Sequence, residues 1–381
     1  MNQFTPISAA GTEQLEIVRT SERLKEVGPA WTELWTEVDG LVFQSHDWIS
    51  AWWETASIPA PRSLRIGLMW NGDKLAAVVP LAIGRRKGLR FLEWAAVSVS
   101  DYGDILASPD CPPSALLRIW ARLSASGGFD LAFLNRLLPQ GVAPGLFASD
   151  IKGGIRLRPN HRSEVSHRIT GNWASGAAWF DGLSKKTRKN YRHGCNTLEK
   201  SGELQFRLLA PHEPVEPVLD RISDLKRKWL VERDRRSDLF DQEKLTLRNL
   251  VAALARQGVL RLFVLECDGI VIAASVNFVQ HGTLMAWVTT YDPDFGAASP
   301  GTILIMDYAR WSFDNGLKTV DFLCGAEAFK ERFATESVTL TSVMGTRTLR
   351  GMLAERMDRI KRAFRRENAG QPNTKSLPEE A

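Results

Sequence analysis

The sequence predicts an α/β fold in two like halves, each a mixed, mainly antiparallel sheet with helices on both faces. Three observations carry that expectation. The chain has 381 residues, 44% of them hydrophobic and 24% charged, enough to bury more than one core. A β-rich run around Asn71-Gly72, "LRIGLMWNGDKLAAVVPLAI" (64–83), returns around Asp268-Gly269 as "LRLFVLECDGIVIAASVNFV" (260–279), and both dipeptides are hairpin signals. Setting Leu64-Arg65-Ile66 over Leu260-Arg261-Leu262 brings Gly72 against Gly269 with a one-residue gap, the mark of an internal duplication.

The elements follow in order. Helical stretches are expected over 21–37 and 47–55, the second capped by Ser45 or His46 and packed with Trp48, Trp52 and Trp53. The first hairpin comes next, then a strand-like run over 91–99 that leads into "SDYGD" (100–104). Between the halves, "LSKKTRKNYRHGCNTLEKSG" (183–202) reads as a long basic helix ending at Gly202. The second half repeats the plan with helices over 214–232 and 242–257 and the second hairpin. It continues with a strand over 283–291, the loop "DPDFGAAS" (292–299), a helix over 300–315, a strand over 318–323, a short helix over 326–334 and a strand over 338–348. The expected organisation is a flexible amino terminus over 1–14, a first domain over 15–165, a basic linker helix over 176–202, a second domain over 203–348, a basic amphipathic helix over 349–366 and a disordered tail over 367–381.

Several classes of protein are disfavoured. Residues 269–291 lack Asp, Glu, Lys and Arg, but Asn277, Gln280, His281 and Gly282 interrupt the run, which reads as two buried strands about a His-Gly turn rather than a membrane span. The amino terminus has neither a basic n-region nor an apolar h-region. Cys111, Cys195, Cys267 and Cys324 are scattered, with no C-x-x-C pair and no His at ligand spacing, so a reduced cytoplasmic setting and no metal are expected. No Ser-His-Asp order, H-E-x-x-H, Walker A or dinucleotide fingerprint is present.

The net charge of +5 comes from two segments. Residues 185–200 hold Lys185, Lys186, Arg188, Lys189, Arg192 and Lys200 against Glu199. Such a cluster favours phosphate-linked acceptors, or is a solvated helix face; nucleic acid is disfavoured, since only Tyr191 offers stacking there. Residues 347–366 hold eight basic side chains against Glu355 and Asp358. Within them Leu353, Met357, Ile360 and Phe364 form one stripe, with Arg356, Arg359, Arg362 and Arg366 beside it. This helix docks on the body, lies on an anionic membrane surface or binds a small anionic regulator.

The remaining signal is "DFLCGAEAFKERF" (321–333): a strand that ends at Cys324-Gly325 and at once presents Glu327, Phe329 and Lys330 from one helical turn. Ligands of open α/β sheets bind beyond the carboxyl ends of strands. An ordinary surface Glu/Lys pair is the alternative. Together with "FQSHDW" (43–48), "VVPLAI" (78–83), "SDYGD", the basic stretch 183–202 and "SPGTILIMDYA" (299–309), this segment resembles the CelD-like branch of bacterial exopolysaccharide proteins. These have the GNAT-type acyl-CoA N-acyltransferase fold in tandem and are relatives of the FemAB aminoacyltransferases and of holdfast-type polysaccharide acetyltransferases.

The resemblance implies a reaction and a site. An amine, on an amino sugar or a lipid-linked sugar, would attack a bound acyl thioester, with acetyl-CoA or another acyl-CoA as co-substrate and no metal. Ser299 would cap the helix whose Gly301 and Thr302 amides receive the coenzyme pyrophosphate, although "FGAASPG" lacks the usual leading Arg or Gln and the Fem relatives use aminoacyl-tRNA. Phe329-Lys330 matches a Phe-Lys pair that sits beside the reacting carbonyl in those relatives. Lys330 would then stabilise the oxyanion, Glu327 take the amine proton and Tyr291 act as a general acid. Asp101 and Tyr102, read from their place after a strand-like run, line a cleft between the halves or form a turn with an Asx-type hydrogen bond, and Lys186, Arg188 and Arg192 would lie near the acceptor. Holdfast-type members would allow a cyclic dinucleotide at the carboxyl-terminal helix. The expected place is the cytoplasm, or the inner face of the membrane. A binding protein with a decayed transferase site is the rival expectation.

Overall fold

A computed structural model describes residues 13–56, 62–147, 153–232, 234, 237–240, 245–325 and 327–369. The flexible terminus expected over 1–14 lies outside them except for its last two residues. The tail expected over 367–381 lies outside them except for its first three, which continue a helix.

The first half runs β1 (Glu13–Val18), α1 (Ser21–Glu26), α2 (Gly28–Glu37), α3 (His46–Ala56), β2 (Ser63–Asn71), β3 (Lys74–Arg86), β4 (Leu89–Trp94), β5 (Leu106–Ala107), α4 (Pro113–Ala125), β6 (Leu131–Leu137), α5 (Val142–Phe147), β7 (Arg158–Pro159) and β8 (Glu164–Thr170). Helices α6 (Gly176–Gly182) and α7 (Lys185–Leu198) lead to the second half. It holds β9 (Leu204–Leu208), α8 (Glu216–Glu232), α9 (Thr246–Arg256), β10 (Leu260–Cys267), β11 (Ile270–Gln280), β12 (Thr283–Tyr291), α10 (Pro300–Asp314), β13 (Thr319–Cys324), α11 (Ala328–Phe333), β14 (Glu336–Thr346) and α12 (Leu349–Ala369).

Local chemistry explains where these bounds depart from expectation. The helix expected over 21–37 is two helices, because Pro29 lacks an N–H and starts a new one after Val27. The linker helix expected over 176–202 is also two. Leu183 is extended, and the Ser184 side chain caps α7 by accepting from the Thr187 N–H at 3.1 Å. The first hairpin turns at Gly72-Asp73, one residue later than Asn71-Gly72, with Asn71 paired to Lys74 and only Gly72 left-handed (φ 61°). In the second, Asp268 and Gly269 are both left-handed, as expected for a two-residue turn. The loop expected over 292–299 is largely a short 3₁₀ helix, Pro293–Ala298.

The strands form one continuous sheet rather than two. Its order is β1-β2-β3-β4-β6-β14-β8-β13-β12-β11-β10-β9, with β5 on β3 and β7 on β14. Among the described residues only β4–β6 and β12–β13 pair in parallel. Outward from the central β14–β8 pair, the order is β6-β4-β3-β2-β1 on one side and β13-β12-β11-β10-β9 on the other. Each half therefore lends one strand to its neighbour: β14 joins β6, and β8 joins β13. A boundary at 165 would cut through β8. Strand patterning marks which residues are extended but not which edge they join.

One core spans both halves. Trp31 and Trp48, fully buried, pack in the same cluster as Leu250, Leu254 and Phe278. Each indole N–H finds an acceptor, Gln44 O for Trp31 at 2.9 Å and Ser100 Oγ for Trp48 at 2.9 Å. Gln280 joins the halves directly, accepting from the Val42 N–H at 3.0 Å and donating to Gly40 O at 2.7 Å. Loss of a fully buried Trp such as Trp48 would cost about 3–5 kcal/mol.

Candidate active site

In each half the parallel pair is short. The last aligned residues are Leu92 with Ala132 in the first half and Met285 with Asp321 in the second. Two residues further along stands a tryptophan in each, Trp94 and Trp287. Trp94 is buried in the first gap and donates its indole N–H across it to Asn135 O at 3.0 Å. In the second half a β-bulge interrupts the β11–β12 register at Trp287. The Trp287 indole donates instead to Val99 O at 3.1 Å and lies edge-on to Trp48. The second gap stays open.

That gap is a cavity of about 500 Å³. One wall is Ala286 to Thr289 and Tyr291 of β12, whose edge towards β13 is unpaired beyond Met285. Another is the face of α10 carrying Gly301, Thr302, Ile305 and Tyr308. The far end holds Phe322, Glu327, Phe329 and Lys330, and Asp101 and Arg136 of the first half complete it together with Lys226 and Trp229 of α8.

The end of β13 is held by both halves. Asp321, in the strand, accepts from Tyr102 Oη (2.6 Å), Ser166 Oγ (2.7 Å), Arg168 Nε (3.0 Å) and the Leu323 N–H (2.8 Å). The last bond supports Leu323 in a left-handed conformation (φ 57°), a state that costs a β-region residue about 1–3 kcal/mol. One residue on, the Cys324 N–H donates to Asp101 Oδ1 at 3.2 Å, and Cys324 O accepts from Lys330 Nζ at 2.5 Å. Lys330 is buried and also lies 3.1 Å from Glu327 Oε2. Gly325 makes this possible. A Cβ there would press into the Glu327 carboxylate and stand 2.5 Å from Lys330 Nζ, and φ 141° suits only glycine.

Burial sets the titration of the site. It pushes Asp101 up to about 6, against the pull of Arg136, Lys330 and the Cys324 N–H. It pushes the Cys324 thiol up, with Asp101 adding to the effect, so this cysteine is not a thiolate nucleophile. Lys226 is pushed down by burial, and Lys330 adds to that while Glu327 opposes it.

Of the residues expected from sequence, Lys330, Glu327, Phe329, Tyr291, Gly301, Thr302 and Asp101 line this one cavity. The others lie elsewhere. Tyr102 is 2% exposed and bonded into the Asp321 cluster; it braces the strand and borders a smaller cavity of about 190 Å³ between the halves, away from Lys330. Ser299 stands at the start of α10, but in a left-handed conformation without a side-chain cap bond, and the Thr302 N–H is taken by Ser299 O at 2.9 Å. Ser299 borders a smaller cavity of about 240 Å³ between α7 and α10. Helix α7 packs through Gly194 against Ala298 O and through Tyr191 Oη, which donates to Asp307 Oδ1 at 2.6 Å. Lys186 and Arg192 are exposed, and Arg188 meets Asp181 at 3.4 Å. Arg356 and Arg359 are exposed on α12, and the side chains of Arg362 and Arg366 lie outside the described ones.

Sequence reasoning missed Arg136, Lys226 and Tyr308. Arg136 carried one signal, a lone cation in the apolar strand "LAFLNRL". Lys226 sits among other lysines and arginines in α8 and had none. Among the described residues no group of His, Cys, Asp and Glu could hold a metal ion, and no helix is long and apolar enough to cross a membrane.

Residues 185–331, from α7 into α11, match the family model described as an acetyltransferase (GNAT) domain, which covers less than half of the chain. Two solved structures share the fold. The C-terminal DUF2156 domain of a putative lysylphosphatidylglycerol synthetase from Agrobacterium fabrum has a TM-score of 0.53 at 11% identity, over 87% of this chain and 95% of that one. FemX has a TM-score of 0.53 at 10% identity, over 86% and 96%. At such identities the likeness is one of fold. No curated protein sequence matches this chain significantly. The fold is the GNAT fold, present twice in one continuous sheet, and its second copy carries the open cavity.

Proposed function

We propose that the protein is an N-acyltransferase that moves an acyl group from a thioester to the amine of an amino sugar, or of a lipid-linked sugar, in the synthesis of a bacterial surface polysaccharide. The observation that carries this is the convergence of Lys330, Glu327 and Asp101 on the end of β13, at the mouth of the gap between β12 and β13. The match of residues 185–331 to an acetyltransferase domain supports the same reading.

The residues fit an acyl-CoA co-substrate. The free edge of β12 offers backbone groups to an extended, amide-bearing arm, as an edge strand does to a peptide. At the start of α10 Gly301 lines the cavity beneath the Tyr291 ring, too close to it for a Cβ, and a helix start is where backbone N–H groups would receive an anion. The thioester supplies the activated carbonyl. When the amine attacks it, negative charge builds on the carbonyl oxygen, and the Lys330 ammonium is the buried cation able to meet it. Asp101 is ionised at neutral pH and takes the amine proton, with Glu327 holding Lys330 in place. Of the roles expected from sequence, proton acceptance passes from Glu327 to Asp101. The C–S bond then breaks, the amide is formed, and the thiolate leaves with the proton that Asp101 returns to it.

Helix α12 supports a membrane-surface setting for this reading. At about 100° per residue, Leu349, Met352, Leu353, Met357 and Ile360 fall within an arc of roughly 140°. All five are exposed, between 47% and 75%, whereas Gly351 on the opposite side packs against Asp130 O. A helix that turns its apolar stripe away from its own body, flanked by Arg350, Arg359 and Lys361 and with Arg356 inside the arc, suits the anionic inner face of a membrane or a cyclic dinucleotide. Titrating acetyl-CoA and an aminoacyl-tRNA separately by calorimetry tests the donor. Micromolar binding of acetyl-CoA alone supports the proposal, and binding of aminoacyl-tRNA alone would replace it with a Fem-like transfer.

A further inference from the structure

The cavity contains a polar group that the proposed reaction does not use. Tyr308 lies two turns along α10 from Gly301, on the same face, and is completely buried, yet its hydroxyl has no hydrogen-bond partner. Thr289 of β12 stands near enough to hold the phenol's titration down against the rise that burial causes, but outside hydrogen-bond geometry. The Thr289 hydroxyl is engaged by Ser275 Oγ at 2.7 Å, and Ser275 Oγ donates to Asn277 Oδ1 at 2.6 Å. Ser275 and Asn277 are fully buried too, so a row of polar side chains runs under the cavity floor and ends at the unpaired phenol. A buried hydroxyl left without a partner costs stability and is uncommon in folded proteins.

We propose that the Tyr308 hydroxyl is a binding group for the acyl donor, giving its hydrogen bond to an oxygen that the donor carries into the cavity. This rests on the acyltransferase reading. The donor is favoured over the acceptor because Tyr308 shares its helix face with Gly301 and Ile305, the face that borders the free edge of β12. Three parts of a coenzyme A thioester present such an oxygen: the pantetheine arm, the thioester carbonyl, or a hydroxyl on the acyl chain.

The test is calorimetric titration of wild type and Tyr308→Phe with free coenzyme A, butyryl-CoA and 3-hydroxybutyryl-CoA, together with thermal melts of the ligand-free proteins. Tyr308→Phe is expected to weaken binding by about 5- to 30-fold, the effect of one buried hydrogen bond. Equal weakening for all three ligands assigns the contact to the pantetheine arm, weakening of the two thioesters but not of free coenzyme A assigns it to the thioester carbonyl, and weakening confined to 3-hydroxybutyryl-CoA assigns it to the acyl chain. Without ligand the variant should melt about 1–3 °C higher, since it no longer buries an unpaired hydroxyl. Unchanged affinity for all three ligands, or a lower melting temperature, would make the phenol a structural group and overturn the inference while the transferase reading stands. If none of the three binds folded wild type, the acyl-CoA reading fails and takes this inference with it.

Discussion

Gly325→Ala should separate the fold from the chemistry. The added methyl would stand 2.5 Å from Lys330 Nζ and closer still to Glu327 Oε2. Contacts of that kind relax towards 3.5 Å, so the lysine must move by roughly 1 Å. Both clashing atoms end flexible side chains, so the collision itself costs the fold little. The backbone costs it more, because φ 141° is tolerated by an L-residue only at about 1–3 kcal/mol. A fall of a few degrees in melting temperature is therefore expected. Displacing a positioned group by about 1 Å lowers turnover by about 10²-fold. The assay is thiol release at saturating donor, with melting curves and donor affinity measured on the same samples. Gly296→Ala is the control, since a Cβ there meets nothing within 4 Å. Turnover within about threefold of wild type, or a loss explained entirely by donor affinity, would refute the geometry assigned to Lys330.

Two other predictions concern charge. Turnover should fall as the pH drops through about 6, where Asp101 takes up its proton, and Asp101→Asn should lower turnover and remove that limb from the pH profile. Because the folded-state value of Asp101 lies above the ordinary 3.8, the wild-type protein loses stability from this group as the pH rises from about 4 to 6. Asp101→Asn should therefore melt above wild type at pH 7.5 and lose that advantage at pH 4; an unchanged difference between the two pH values would contradict the assignment. For α12, Met357→Asp with Ile360→Asp places two acids on side chains that are 57% and 47% exposed, and folding should be unaffected. Sedimentation with equimolar phosphatidylglycerol and phosphatidylcholine vesicles should be lost in this variant. In wild type it should weaken with salt, at about 1 kcal/mol per basic side chain near the surface. Equal sedimentation of the two proteins would argue against the membrane proposal.

Local chemistry made much of the fold legible. The Asp268-Gly269 and His281-Gly282 turns and strand 283–291 follow from left-handed turn residues between apolar, β-branched runs. The strand-glycine-helix step at 321–333 put Lys330 and Glu327 in a site because Gly325 and the short α11 are both local features. What was not legible depends on partners distant in sequence. The exchange of β8 and β14 is a choice of edge, and nothing in either strand's alternation encodes it. Tyr102 in "SDYGD" has the composition of a cleft loop, and only Ser166 and Asp321, 64 and 219 residues away, make it a brace. The closing of the first gap by Trp94 and the opening of the second at Trp287 turn on one bulge, which no motif announces.

The central claim is that Lys330 meets the charge that develops on the acyl carbonyl oxygen in the cavity of the second half. Lys330→Met keeps most of the buried side-chain volume and removes the cation. Steady-state thiol release from acetyl-CoA, with the best amino-sugar acceptor of the wild-type protein, is the direct measurement. Turnover should fall by about 10²- to 10³-fold with donor affinity little changed. Wild-type turnover in a folded Lys330→Met protein would contradict the claim and return this lysine to a structural tie on Cys324.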